Sequence, residues 1–238
     1  MIINFISFKN MDIVIIGHNE GKSIKNMLSS LNIQEGKIVY VADRCTDDTL
    51  QQLQNYPNVE VVDTTPMNFK GRKTSTLRNL GLQKCSENTD VLFLDGDRFV
   101  VEGDIRSLSF VREDIATIRL KNDHRNKKDF PNHYGTYFNW VYSCGLLVKR
   151  SAIEKITEKQ NGKLFNEDLE SEYGVEDVAF GDLCHHLGLS ATLVESVKLN
   201  GQIENKITSK KAMKNRSEFN KKIGHPLPFM INNLLKNK

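Results

Sequence analysis

The N-terminal half of the chain alternates short apolar runs with amphipathic segments. The runs Ile13–Ile16 and Ile38–Val41 have the length of strands, and Ile24, Met27 and Leu31 recur between them at helical spacing. Apolar runs without polar alternation are typical of strands that are buried on both faces. The pattern therefore predicts βαβ units and an α/β fold with a mainly parallel central sheet flanked by helices.

Two more strands continue this rhythm. A helix containing Leu50 and Leu53 leads to the run Val59–Val62, and a helix around Lys73–Lys84 leads to an apolar run that ends at Asp95. The second half is less regular. There we predict two strands, Ile115–Leu120 and Cys144–Val148, and two helices. One helix starts with a capping box formed by Ser151 and Glu154, and the other starts at Glu176 and Asp177.

Polar residues follow each of the first four predicted strands. They are His18, Asn19 and Glu20 after the first strand, Asp43 and Arg44 after the second, Asp63 after the third, and Asp95 and Asp97 after the fourth. Ligands of open parallel sheets bind at the carboxyl ends of the strands. Because polar turns occur at that edge in every doubly wound protein, the convergence favours a nucleotide site without identifying the ligand.

The end of the fourth strand is the most informative segment. Its apolar run stops at Asp95 and Asp97, which are separated by Gly96. Two carboxylates in this arrangement can hold a divalent cation, which can in turn bind a diphosphate. The alternative is that these polar residues only begin the turn after a buried strand.

Two features of the second half are candidates for ligand binding and catalysis. Aromatic residues cluster around Trp140, where an exposed ring would stack on a sugar, although aromatic clusters usually belong to the core. Glu176 and Asp177 begin a predicted helix, whose dipole stabilises negative charge at this end. Either they only cap the start of this helix or, if they lie beside the other acidic residues, one of them serves as a general base.

Composition adds few constraints. The chain has 238 residues and a net charge of +3, which argues against a polybasic nucleic-acid-binding protein as a whole. The four cysteines show no CxxC pairing, so we expect reduced thiols and a cytoplasmic protein. No signal peptide or transmembrane segment is predicted. We expect one catalytic domain at 1–200 and a basic extension at 201–238.

In order along the chain, the motifs resemble those of family 2-type glycosyltransferases of the GT-A fold. Asp95-Gly96-Asp97 resembles the Asp-x-Asp motif of these nucleotide-diphospho-sugar transferases. Gly174–Asp177 resembles the Glu-Asp motif that is also seen in galactosyltransferases. The other matching segments are Ile13–Glu20, Val41–Thr49, Gly71–Lys73, Leu77–Gly81 and Trp140–Arg150.

The resemblance implies a glycosyltransferase that moves a sugar from a nucleotide-diphosphate sugar to an acceptor hydroxyl, with Mn²⁺ or Mg²⁺ and with inversion. It implies a donor-binding half at about 11–100 and an acceptor half at about 101–200. Asp177 would be the catalytic base, and Glu176 and Trp140 would bind the acceptor. The implied metal ligands are Asp97 and Asp95, and the implied donor-binding residues are His18, Asn19, Glu20, Asp43, Arg72, Lys73, Arg78 and Asp95.

The chain departs from the family pattern beside Asp43. Ala42 replaces the first acid of an Asp-Asp pair, and Arg44 and Cys45 replace Gly-Ser, so the donor base stays open. A third metal ligand, often a C-terminal histidine in this family, also stays open. The histidines available for that position are His185, His186 and His225.

Two other functions fit parts of the sequence. A haloacid dehalogenase-type phosphatase would use Asp95 as its nucleophile and Asp97 as acid/base, but its motif normally opens the domain. A non-catalytic nucleotide-binding protein is the second alternative. The basic segment 206–222 is either a solvated face or a site for an anionic acceptor. Candidate acceptors are a glycan, a lipid-linked glycan at a membrane contacted peripherally, or modified nucleic acid.

Overall fold

The computed structural model describes residues 10–31, 36–71, 73–122, 143–169 and 176–201. Its strands are β1 (Met11–Gly17), β2 (Ile38–Ala42), β3 (Val59–Asp63), β4 (Asp90–Asp95), β5 (Val100–Glu102), β6 (Ile115–Leu120), β7 (Gly145–Val148) and β8 (Ala191–Leu199). Its helices are α1 (Ile24–Leu31), α2 (Thr49–Leu53), α3 (Thr74–Leu82), α4 (Arg150–Lys159) and α5 (Glu176–His186). The predicted strands and helices of the N-terminal half are confirmed.

The strands form one eight-stranded sheet in the order β3-β2-β1-β4-β7-β6-β8-β5. The neighbours β3, β2, β1 and β4 are all parallel, whereas β7 is antiparallel to both β4 and β6. The predicted mainly parallel sheet flanked by helices is confirmed. Since β7 pairs with both β4 and β6, it joins the two halves of the sheet into one framework.

Apolar side chains cover both faces of this sheet. On β1, Ile13 and Ile15 belong to the core cluster that also contains Ile24 of α1. Val14 belongs to the opposite cluster, which includes Leu77 of α3. This two-sided burial explains why the strand sequences show uninterrupted apolar runs instead of alternation.

The sheet changes winding direction at β1, which pairs with β2 on one side and with β4 on the other. The pairings place Gly17 beside Ala42 and Ile16 beside Asp95. These three strands therefore end at the same level. A crevice at such a position is where open α/β sheets bind ligands.

The predicted capping box is wrong. Helix α4 begins at Arg150, and its N-cap residue Lys149 makes no capping bond through its side chain. The cap comes from β4 instead: buried Asp90 accepts the Arg150 backbone N–H at 3.0 Å and pairs with Lys149 Nζ at 3.0 Å. A capping group that is distant in sequence explains why the local pattern around Ser151 was misleading.

Several predicted features lie outside the described residues: Arg72, Trp140 with its aromatic neighbours, and the basic extension beyond Gly201 with His225. The four cysteines are free thiols, as predicted. Within the described ranges, no helix has the length and apolar character needed to cross a membrane.

Candidate functional site

A cleft of about 460 Å³ lies at the carboxyl ends of β1, β2 and β4. Five of the predicted site residues line it: His18, Glu20, Asp43, Asp95 and Asp97. The convergence that the sequence predicted at this edge is therefore present in the structure. Asp63 is elsewhere, in a groove between α2 and β3.

The floor of the cleft is built from two glycines. A Cβ atom on Gly17 would lie 2.1 Å from Tyr40 Oη, and a Cβ atom on Gly96 would lie 2.8 Å from the same oxygen. Both residues must lack a side chain because the Tyr40 phenol fills the space beneath them. Burial raises the pKa of Tyr40, and its hydroxyl finds no hydrogen-bond partner among the described residues.

Arg78 holds one of the two central aspartates. It extends from α3 toward the end of β4, where its Nη2 donates to Asp95 Oδ1 at 2.8 Å. The guanidinium lies 5.7 Å from the centroid of the Phe165 ring, and Arg78 is only 2% exposed. Arg78 is therefore bonded to Asp95 but is not itself among the residues that line the cleft.

Asp97 is more accessible, with half of its side chain exposed, and its closest cationic partner is Arg98 at 3.4 Å. Burial raises the pKa of Asp97; Arg98 lowers it, and Asp95 raises it again. Within the part of the chain that the structure describes, no group of three or more His, Cys, Asp or Glu residues could hold a metal ion. Mg²⁺ sites commonly use one or two carboxylates together with substrate phosphates. The Asp95 and Asp97 pair fits a divalent cation of that kind.

Glu20 lies against both glycines of the floor. Ser23 Oγ donates to Glu20 Oε2 at 2.9 Å and is 3.3 Å from the Gly96 carbonyl. Burial raises the pKa of Glu20, the Ser23 bond lowers it, and repulsion from nearby aspartates, first among them Asp97, raises it again. The cleft therefore has a strongly acidic end around β1 and β4.

The opposite wall is formed by Asp43 and Arg44. Arg44 Nε and Nη2 donate to the two carboxylate oxygens of Asp43 at 2.6 and 2.8 Å. The same guanidinium donates to the carbonyls of Phe69 at 2.9 Å and Gly71 at 3.0 Å. Arg44 therefore joins Asp43 to the loop before α3. Arg44, which departs from the family pattern, therefore has a structural role at this wall of the cleft.

His18 and Asn19 connect the first two strand ends. His18 Nδ1 contacts the Asp43 carbonyl at 2.6 Å, so this nitrogen carries the proton, because a carbonyl can only accept. The backbone of Asn19 adopts the left-handed conformation, with φ at 59°, and its Oδ1 accepts a hydrogen bond from the Thr46 N–H at 2.7 Å. Asn19 is not among the residues that line the cleft, so its described contacts shape the neighbouring turn.

The acidic start of α5 lies near this cleft. Thr74, which lines the cleft, donates from Oγ1 to Glu176 Oε1 at 3.4 Å, and Glu176 is 5% exposed. The pKa of the Cys144 thiol is raised to about 12, mainly by burial and then by the negative charges of Asp95 and Asp177, while Arg98 and Arg78 lower it. Asp95 and Asp177 are therefore both close enough to Cys144 for their charges to act on its thiol.

Seven residues that line the cleft were not predicted as site residues: Ile16, Gly17, Arg44, Gly71, Thr74, Leu77 and Gly96. Gly17 could have been found, because it directly follows the apolar run of β1. Thr74 carries no local signal. Lys73 precedes α3 as its N-cap residue and is not among the residues that line the cleft.

The chain is similar to known proteins in both sequence and fold. The family model described as Glycosyl transferase family 2 matches residues 12–147, more than half of the chain. S. aureus TarS 1–349 is similar in structure, with a TM-score of 0.59 and 15% identity over 90% of this chain and 74% of that chain. No curated protein matches the sequence.

Glucosyl-3-phosphoglycerate synthase from Mycobacterium tuberculosis is also similar, with a TM-score of 0.58 and 13% identity over 92% of this chain and 81% of that chain. A structure of the same synthase in complex with Mn²⁺, uridine diphosphate and glucosyl-3-phosphoglycerate has a TM-score of 0.56 and 12% identity, with coverage of 92% and 81%. At these identities the likeness establishes the fold.

Proposed function

Because the chain belongs to glycosyl transferase family 2, we propose that it transfers a sugar from a nucleoside-diphosphate sugar to an acceptor hydroxyl, with a divalent cation and with inversion. The fold is GT-A and the protein is a glycosyltransferase, as the motifs predicted. Membership of this family favours glycosyl transfer over the phosphatase and the non-catalytic alternatives. The observation that supports the proposal most is that Asp95 and Asp97 line the same cleft as Thr74, whose hydroxyl is hydrogen-bonded to Glu176 at the start of α5.

On the donor side, Asp97 and Asp95 would hold Mn²⁺ or Mg²⁺. When bound, such a cation stabilises the negative charge that develops on the leaving diphosphate. The residues themselves have separate tasks. Asp97, half exposed, projects into the cleft, whereas Asp95 has one oxygen engaged by Arg78 and keeps the other for the donor. Arg72 and Lys73 remain predicted phosphate contacts, and Arg78 acts by orienting Asp95.

On the acceptor side, Asp177 would act as general base. The acceptor hydroxyl oxygen attacks the anomeric carbon, the bond from that carbon to the diphosphate breaks, and the proton moves to the Asp177 carboxylate. Glu176 is nearly buried and accepts a hydrogen bond from Thr74, so it suits an orienting role better than a proton-accepting one. Attack opposite the leaving group inverts the anomeric centre.

The acceptor itself is proposed only as a class. A glycan, a lipid-linked glycan or modified nucleic acid would each present a hydroxyl, and the predicted basic segment favours an anionic one. Binding to such an acceptor would weaken as salt rises. A cytoplasmic location stays a prediction from the cysteine pattern, and peripheral membrane contact stays a prediction from the basic segment.

The first experiment measures release of nucleoside diphosphate from a panel of nucleotide sugars, with and without Mn²⁺. We expect release with at least one donor and only with the cation. Asp97→Ala should abolish it. Asp63→Ala is the matched control, because Asp63 also closes a strand but does not line the cleft. Release from generic phosphomonoesters, without activity on any sugar nucleotide, would support the phosphatase instead.

The second experiment tests the proposed base. Asp177→Asn should retain donor and Mn²⁺ binding while losing transfer to an acceptor. Nuclear magnetic resonance of the product then reports the anomeric configuration. A product that retains the donor configuration would reject the role of Asp177.

A further inference from the structure

The segment that carries Asp97 is held by one residue from the far end of the sheet. Asn200 follows β8 directly, and its Nδ2 donates to the Asp97 carbonyl at 2.9 Å. Its Oδ1 accepts the Phe99 backbone N–H at 2.6 Å, and its own N–H donates to the Phe99 carbonyl at 2.9 Å. Arg98 Nη1 lies 3.5 Å from the Asn200 carbonyl. One asparagine therefore contacts three consecutive residues, which we call the acidic loop (97–99).

Both ends of the Asn200 amide are used, and both act on backbone atoms of the acidic loop. The amide oxygen must accept and the amide nitrogen must donate, so the two contacts define the orientation of the side chain. The bonds flank Arg98 and fix the peptide groups on either side of it. Because the Asp97 carbonyl is fixed, so is the direction in which the Asp97 side chain leaves the backbone.

The turn that leads into the acidic loop is held separately, by backbone bonds to the ends of β1 and β4. Gly96 N donates to the Ile16 carbonyl at 2.7 Å, and Arg98 N donates to the Asp95 carbonyl at 2.9 Å. These bonds position Asp95 and the turn, but they do not engage the Asp97 carbonyl. The contact with Asn200 supplies that restraint from β8, about a hundred residues later in the chain.

We propose that Asn200 is a positioning residue for the divalent cation: it fixes the acidic loop so that the Asp97 carboxylate stays in the cleft beside Asp95. This inference rests on the proposed function, because it concerns the same cation. Asn200 does not itself touch the cation or the donor. Its effect is expected on cation affinity, since groups that orient a metal-binding carboxylate affect binding about 10- to 100-fold.

The test uses Mn²⁺ alone, titrated into the full chain and followed by electron paramagnetic resonance of the free ion. Asn200→Ala removes both side-chain bonds and should raise the Mn²⁺ dissociation constant about 10-fold or more. Asn200→Ser keeps one short polar group and should give an intermediate value. Thermal unfolding of each variant shows whether it is folded at the titration temperature.

Lys198→Ala is the matched control. Lys198 lies on β8 two positions before Asn200, and its Nζ contacts Glu102 of β5 at 2.8 Å, away from the acidic loop. The control removes a contact between β8 and β5, the strand that follows the acidic loop, and should leave the Mn²⁺ dissociation constant within about twofold. A structural effect of weakening the β5–β8 edge would instead appear in both variants.

The outcomes separate this inference from the proposed function. Weaker Mn²⁺ binding in every Asn200 variant that folds, with the control unchanged, supports the positioning role. Wild-type affinity in either folded variant overturns it while leaving the proposed function intact. Equal weakening in Lys198→Ala also overturns it. Absence of Mn²⁺ binding in the wild-type chain, both without and with a nucleoside diphosphate, overturns both, because the cation is then not held by this cleft.

Discussion

Replacing Asp95 by asparagine should cost stability as well as activity. Arg78 is 2% exposed and donates to Asp95 Oδ1 at 2.8 Å. Its Nε and Nη1 have no hydrogen-bond partner among the described residues, so Asp95 is the main compensation for this buried charge. Asp95→Asn leaves an acceptor oxygen but removes the negative charge.

The size of the expected loss in the free energy of unfolding follows from how deeply the pair is buried. Removing one partner of a fully buried pair costs about 3–5 kcal/mol, and an exposed pair is worth less than about 1 kcal/mol. The Asp95 side chain is 35% exposed, so we expect a loss between these limits. A value of about 2 kcal/mol corresponds to a fall in Tm of about 4–8 °C for a chain of this size.

The assay compares Asp95→Asn with Asp97→Asn by urea denaturation followed by circular dichroism. The Asp97 side chain is 50% exposed and its Arg98 contact is 3.4 Å, so its loss should change the free energy of unfolding by less than about 1 kcal/mol. Both variants should lose donor turnover. Equal stabilities of the two variants, or a larger loss in Asp97→Asn, would refute the account of Arg78.

Three further variants test the floor and the acidic end of the cleft. Gly17→Ala should lower the free energy of unfolding by about 1–3 kcal/mol, because its Cβ would lie 2.1 Å from Tyr40 Oη. Adding Tyr40→Phe should recover part of this loss. If the effects of the two substitutions are strictly additive in thermal melts, the contact is not the cause. Tyr40→Phe alone should leave the free energy of unfolding unchanged or raise it by up to about 1 kcal/mol, since the buried Tyr40 hydroxyl has no hydrogen-bond partner among the described residues. A clear drop in the unfolding midpoint would show that this hydroxyl makes a stabilising hydrogen bond. Burial raises the pKa of Glu20 above its value of 4.5 in the unfolded chain. Glu20 therefore contributes to the stability of the folded protein below pH 4.5, and this contribution is lost as the pH rises through the pKa of the folded state. Glu20→Gln should therefore add less than about 1 kcal/mol at pH 7 and nothing at pH 4, and a gain that is independent of pH would contradict this sign.

The donor side could be predicted from the sequence because its information is local. The apolar runs of β1 and β4 determined which residues end the strands, and the parallel pairing then brought Asp43 and Asp95 to one edge. Helix α3 was predicted too, but the direction of Arg78 was not. Whether a basic side chain on this helix faces a phosphate or the sheet depends on how the helix packs against β1.

Contacts between distant segments carried no local signal. Thr74 meets Glu176 across 102 positions of the chain, and only the family resemblance connected the start of α5 with the donor site. Strand β8 was missed because polar Glu195 and Ser196 interrupt its apolar residues, where its pairing with β6 also shifts register. Asn200 was missed with it, since a single asparagine after an unpredicted strand belongs to no motif.

The central claim is that Asp97 and Asp95 hold a cation against the diphosphate of an activated sugar. Isothermal titration with UDP, GDP, CDP and ADP, each with and without Mn²⁺, tests it most directly on the wild-type chain and Asp97→Ala. The account predicts that at least one nucleotide binds the wild-type chain, that binding depends on Mn²⁺, and that Asp97→Ala loses it. Binding that is equal in the two proteins, or independent of Mn²⁺, would contradict the account.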